Sequence, residues 1–156
     1  MKSKKDNIAE YILYLWQMED VVRAFGTDEA MQQNRFLSDL QQMMREEGVI
    51  DSGHVQLAIN ALSELEDLHI ELLNTEATYR AAYMQLMPQL NILKSKSDNP
   101  SQSDLSMMFV FLYNIMLLRM QKKEISPATT ALQQQISHLL AYLSKTYKEN
   151  AKSETL

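Results

Sequence analysis

Cysteine is absent from the chain, and glycine and proline number only 3 each in 156 residues. Without cysteine there are no disulfides, no thiolate nucleophile and no thiolate metal site, a composition that fits a reducing compartment. So little glycine and proline leaves too few turns for a β-sandwich or a repeated βαβ unit. β-Branched residues are also scarce, with 5 Val against 22 Leu, while Met (11) and Gln (13) are abundant. Straight-chain helix formers therefore dominate, and the composition predicts an all-α protein. Catalytic signatures are missing too: there is no Gly-rich phosphate loop, no His-Glu-x-x-His and no nucleophile elbow, which leaves no positive argument for an enzyme. With 20 acidic against 15 basic residues, the net charge of −5 offers no attraction to a phosphate backbone, so nucleic acid is not expected as a partner.

The 46% apolar content suffices for one hydrophobic core. The expectation is a single-domain bundle of about five helices over residues 1–150, with 151–156 as a frayed C-terminal tail. Lys2, Lys4 and Lys5 imitate the start of a signal peptide. However, Asp6 and Glu10 put charge where its apolar segment would lie, so the mature chain is expected to start near Met1, in the cytoplasm.

Apolar residues Ile8, Tyr11, Ile12, Leu15, Met18, Val22 and Phe25 recur at helical steps in a first helix from Asp6 or Asn7 to Gly26. A second helix, capped by Thr27 or Asp28 and ended by Gly48, carries the narrower stripe Phe36, Leu37, Leu40, Met43 and Met44. The strongest period runs from Val55 through Ala58, Leu62, Leu65, His69, Leu72, Glu76, Tyr79, Tyr83, Leu86 and Leu90 to Leu93, alternating steps of 3 and 4. This predicts one long helix over about 53–96, bent or broken near Pro88.

A polar, mobile connection from Lys94 to Ser103 leads to a fourth helix, capped by Ser103 or Asp104. Its stretch Leu105–Leu118 is apolar all round. That run is shorter than the ~20 residues a bilayer requires, so a place at the centre of the bundle is favoured over half of a subunit interface or a membrane span. Ser126, followed by Pro127, caps a fifth helix with the stripe Leu132, Ile136, Leu139, Leu140, Leu143 and Tyr147.

Few residues suggest chemistry. Glu66 and His69 form a Glu-x-x-His spacing that puts both on one helix face, as in di-iron carboxylate bundles. The second copy such a centre needs is absent, since Gln135 stands before His138 where a carboxylate is required. A single metal site built from Glu66, His69 and Glu19 or Glu10 is the weak alternative to no metal at all. His69 and Glu76 fall on inner heptad positions and need polar partners there; Arg80 is the expected partner of Glu76, and Arg23 of Glu19. Trp16, the only Trp, is a further candidate pocket wall beside Glu19. Trp16, Glu19, Glu66, His69 and Glu76 are thus the candidate ligand residues; no catalytic residue and no cofactor is expected.

The stretch Ile8-Ala9-Glu10-Tyr11-Ile12-Leu13-Tyr14-Leu15-Trp16-Gln17-Met18-Glu19-Asp20, with Leu65-Glu66-Asp67-Leu68-His69, resembles a family of uncharacterised bacterial helical proteins, a domain of unknown function. The resemblance implies a bacterial, helical chain and brings no catalytic residue, substrate or cofactor. Two functions remain open. The preferred one is a non-enzymatic interaction or scaffold protein that pairs with itself as a dimer or with another helical protein, because a rod of that length and an apolar fourth helix are hard to cover within one chain. The alternative is a bundle that binds a small ligand or metal at Glu66 and His69.

Overall fold

Asn7, Asn34, Ser103 and Ser126 each place a side-chain oxygen three residues ahead of a backbone N–H that needs an acceptor, and each starts a helix. The computed structural model describes residues 3–154 and contains helices and no strand among them. Seven helices follow in order: α1 (Ile8–Phe25), α2 (Glu29–Gln33), α3 (Arg35–Glu46), α4 (Gln56–Thr75), α5 (Ala77–Ser95), α6 (Asp104–Met120) and α7 (Pro127–Glu154). Met1, Lys2, Thr155 and Leu156 fall outside the described residues, and with them Lys2 of the cationic stretch and the last residues of the expected tail. The all-α class stands; five helices become seven because two of the expected ones are divided.

The chain forms two compact units, Met1–Glu64 and Leu65–Leu156, with the boundary inside α4. In the first unit α3 packs on α1 and on the short α2. Ile8, Ile12, Leu15 and Val22 of α1 are buried, as are Leu40 and Met44 of α3. Asn34, in an extended conformation, separates α2 from α3 and caps the latter through its own side chain. Gly48, at φ 72°, ends α3 in the left-handed conformation that glycine adopts without strain.

In the second unit α5, α6 and α7 pack pairwise. Leu86 and Leu90 of α5, Met108 and Phe109 of α6, and Ile136, Leu140 and Leu143 of α7 are buried. The long helix expected over 53–96 does not exist as one rod: Glu76 is extended (φ −123°, ψ 105°) and separates α4 from α5 well before Pro88, which lies inside α5. Side chains around the break bond to the backbone of the last turns of α4, and one of them, Arg80, meets a carbonyl that the helix end leaves open. Asn74 donates to the Ile70 carbonyl, Thr75 to that of Glu71, and Arg80 to that of Leu73. Because these residues bond to nearby backbone, they end a helix without glycine or proline.

The heptad face itself is real, since Val55, Ala58, Leu65 and Leu72 before the break and Tyr79, Leu86 and Leu90 after it are buried. Glu76 is exposed rather than inner, and Arg80 turns to a carbonyl instead of pairing with it. α6 departs from a wholly enclosed central helix. Leu105, Met107, Met108, Phe109 and Ile115 are buried, but Val110–Tyr113 and Met116–Leu118 are only half-buried. No helix among the described residues is long and apolar enough to cross a membrane. α7 continues to Glu154, past the point near Asn150 where fraying is expected.

Candidate functional site

Each unit holds a cluster of polar side chains around a buried ionisable residue, Glu19 in the first and His69 in the second. In the first, Glu19 on α1 has 0% of its surface exposed. A buried carboxylate is tolerated only when its oxygens are bonded. The backbone N–H of Val55, just before α4, donates to Oε2 at 2.7 Å, and Nδ1 of His54 lies 2.8 Å from Oε1. Glu19 thus acts as an N-terminal cap delivered from a distant helix, with its negative charge at the positive end of α4. Trp16, one turn earlier, stacks on the His54 ring at 4.4 Å and 11°. Arg23, one turn later, does not pair with Glu19 as expected. It bonds Asp20 and donates to the carbonyls of Val49, Ile50 and Gly53, clamping the loop that presents His54. The cluster is a structural joint between α1 and the start of α4.

The second unit holds the other cluster, around His69. On a straight helix residues 69 and 79 would stand about 15 Å apart along the axis. The break at Glu76 turns α5 back, so that His69 Nδ1 meets the Tyr79 hydroxyl at 2.5 Å and its ring lies edge-on to Tyr83 at 4.8 Å. The Tyr83 hydroxyl donates to Asp104 Oδ2 at the start of α6, and the Lys94 ammonium on α5 pairs with Asp104 Oδ1. Ser103, the N-cap of α6, donates to Glu66 Oε1 at 2.7 Å and accepts from the Ser106 N–H. A cavity of about 310 Å³ opens among these groups, lined by Glu66, His69, Lys94, Ser103 and Asp104 with Ile70 and Leu105 as its apolar wall.

Electrostatics follow from burial and from the pairs. Burial, outweighing the nearby Asp104 charge, holds the His69 imidazole below its ordinary pKa and therefore neutral near pH 7. Burial, with Tyr83 adding to it, raises the Tyr79 phenol; burial together with the bond to Asp104 and its charge raises Tyr83. For Asp104 burial pulls upward, but the bonds from Lys94 and Tyr83 and the charges of Lys94 and His69 outweigh it and hold the carboxyl below its usual value.

The neutral state of His69 settles its tautomer. The Tyr79 phenol is buried and bonds to His69 Nδ1. If Nδ1 carried the hydrogen, the phenolic proton would lose its acceptor, which costs about 1–3 kcal/mol. Tyr79 therefore donates to Nδ1, and the hydrogen of His69 sits on Nε2, a nitrogen without a hydrogen-bond partner among the described residues.

Of the five candidate residues, the structure places Trp16 and Glu19 together in the first unit and Glu66 and His69 together in the second, and leaves Glu76 exposed at the helix break. Glu19 is bonded to His54 and Val55 within its own unit, and no three His, Asp or Glu among the described residues are grouped to hold an ion. His138 is exposed. Sequence reasoning missed Tyr79, Tyr83, Lys94 and Asp104. The tyrosines occupied inner heptad positions, where a hydroxyl needs a partner as much as an imidazole does, and the same logic could have flagged them.

The described residues form an all-helical protein of two small units, each with a cluster of hydrogen-bonded polar side chains. The chain belongs to the family described as Domain of unknown function (DUF4924), which it matches over residues 1–34 and 26–154. No curated protein and no solved structure matches it.

Proposed function

We propose that this is a non-enzymatic binding protein whose second unit takes a small polar molecule into the cavity beside Glu66 and His69. The observation that carries this reading is His69 itself. It is 8% exposed, bonded to the Tyr79 hydroxyl through Nδ1, and on the wall of a cavity of about 310 Å³. A volume at the lower end of the roughly 300–1,000 Å³ usual for ligand pockets suits a small metabolite rather than a dinucleotide or a peptide. Because the ring is held by Tyr79 and Tyr83 on the neighbouring helix, the donor is pre-organised, which lowers the entropy lost on binding. The test is ligand-detected NMR on the full chain with pools of small polar metabolites, repeated on a His69→Phe variant. Binding to the parent chain that weakens tenfold or more in the variant supports the reading; equal binding in both overturns it.

A second reading, self-association, keeps one of its two grounds. The rod of about 40 residues that demanded an outside partner is divided at Glu76, so that ground is gone. What still supports it is α6, whose Val110–Tyr113 and Met116–Leu118 are half-buried and whose Met120 is 62% exposed. Light scattering with size exclusion tests it: a dimer that Leu117→Glu converts to monomer agrees with the reading, and a monomeric parent chain removes it.

A further inference from the structure

Resting on the self-association reading above, we infer that α6 packs antiparallel against α6 of a second copy, with the two Asn114 side chains hydrogen-bonded to each other on the two-fold axis.

The sequence of α6 sets its faces. At about 100° per residue, Val110, Phe111, Asn114, Leu117 and Leu118 fall within an arc of about 120° with Asn114 at its centre, while the buried Met108, Phe109 and Ile115 lie outside that arc. The arc is apolar except at its middle. Val110, Phe111, Leu117 and Leu118 are half-buried, and Asn114 is exposed, its amide bonded to no described residue. Val110, Phe111 and Asn114 also border a cavity of about 510 Å³, with the buried Met107 in its wall.

Charge and the amide together select what covers this face. No Asp, Glu, Lys or Arg occurs from Leu105 to Leu118, although 22% of the chain is charged. Two copies, each with a net charge of −5, can therefore meet here without opposing like charges. In a two-fold interface the residue on the axis faces itself. An amide suits that place because it carries both donor and acceptor, so identical copies satisfy each other, and a lone Asn in an apolar seam fixes the register. An apolar partner helix without such a group would leave Asn114 buried and unmatched.

The direction of pairing follows from the end of the helix. A parallel pair would bring Arg119, Lys122 and Lys123 of one copy against the same cations of the other, whereas an antiparallel pair keeps them apart. Antiparallel pairing also sets Leu117 and Leu118 of one copy opposite Phe111 and Val110 of the other, where the cavity has room for their side chains.

The experiment measures the dimer dissociation constant of the full chain by analytical ultracentrifugation. Position 114 is exposed, so substitutions there do not disturb the core. Asn114→Asp and Asn114→Lys, each alone, should weaken the dimer at least about tenfold, because like charges then meet on the axis. An equimolar mixture of the two variants should return to within about threefold of the parent, because opposite charges then meet. A mixture no tighter than its components, or single variants that dimerise as the parent does, would overturn the Asn114 contact; if Leu117→Glu still separates the copies, self-association through α6 survives that failure. Because the chain has no cysteine, Val110→Cys and Leu118→Cys report the direction. Oxidised together, these variants should crosslink to each other faster than either does to itself, and the reverse would overturn the antiparallel order. A parent chain that stays monomeric removes both this inference and the reading beneath it.

Discussion

Glu19→Ala removes the carboxylate that ties α1 to the start of α4, and the structure sets the size of the effect. The Val55 N–H, matched only by Glu19, would be left buried without an acceptor, which costs about 1–3 kcal/mol. The favourable charge at the helix start is lost as well, about 0.3–1 kcal/mol. Removing the side chain from a fully buried position also leaves a cavity, and the two losses together set a cost of about 1–4 kcal/mol. Glu19→Gln keeps an oxygen for Val55 and should cost less, about 1–2 kcal/mol, because the charge and the oxygen facing His54 are lost while the Val55 N–H stays bonded. Urea unfolding followed by Trp16 fluorescence measures this directly. The indole is the only one in the chain, is 5% exposed, and stacks on His54 beside the perturbed carboxylate. An Ala variant within 0.5 kcal/mol of the parent, a spread typical of neutral surface changes, or a Gln variant worse than Ala, would refute the distant-cap argument.

Stability of the second unit should fall as the pH drops below about 6.5, the ordinary histidine value, because folding keeps His69 neutral while the unfolded chain protonates there. Its contribution is complete above that pH and shrinks toward the lowered native value; hydrogen exchange at Leu86 and Leu90 across pH 5–8 should show the slope, and His69→Phe should remove it. Asp104, held below its usual value, acts in a separate window: its contribution is present above about 3.8 and is lost only as the pH falls through the lowered native value. Tyr83→Phe removes one of the two groups holding that carboxylate and should cost about 1 kcal/mol by denaturant titration; no loss would mean the bond is solvent-replaceable. Gly26→Ala should cost about 1–3 kcal/mol by overpacking, since a Cβ there would sit 2.9 Å from both the Val22 carbonyl and Gln41 Nε2. A melting point unchanged by the substitution would show that both Gln41 and the backbone at Val22 give way at no cost.

Local rules were enough for much of the architecture. Composition alone pointed to helices; Asn7 and Ser126 start α1 and α7 where their side chains cap, and the period from Val55 to Leu90 picks the faces that are buried. Those features depend on contacts within a few residues or on one face being apolar, and both are written along the chain. The breaks at Asn34 and Glu76 were not legible, because neither carries glycine or proline and both interrupt patterns that remain in register. At Glu76 the extended residue becomes favourable only once α5 has turned back to set Tyr79 against His69.

The partners of the polar residues lay further still from local reading. Glu19 finds its partners in His54 and Val55, and Glu66 finds Ser103, across long separations in sequence. Which residue is polar at a buried position is a property of the chain. Which donor or acceptor meets it, and whether a cavity is left between them, is decided only when distant helices pack, because a hydrogen bond requires its two atoms within about 3 Å.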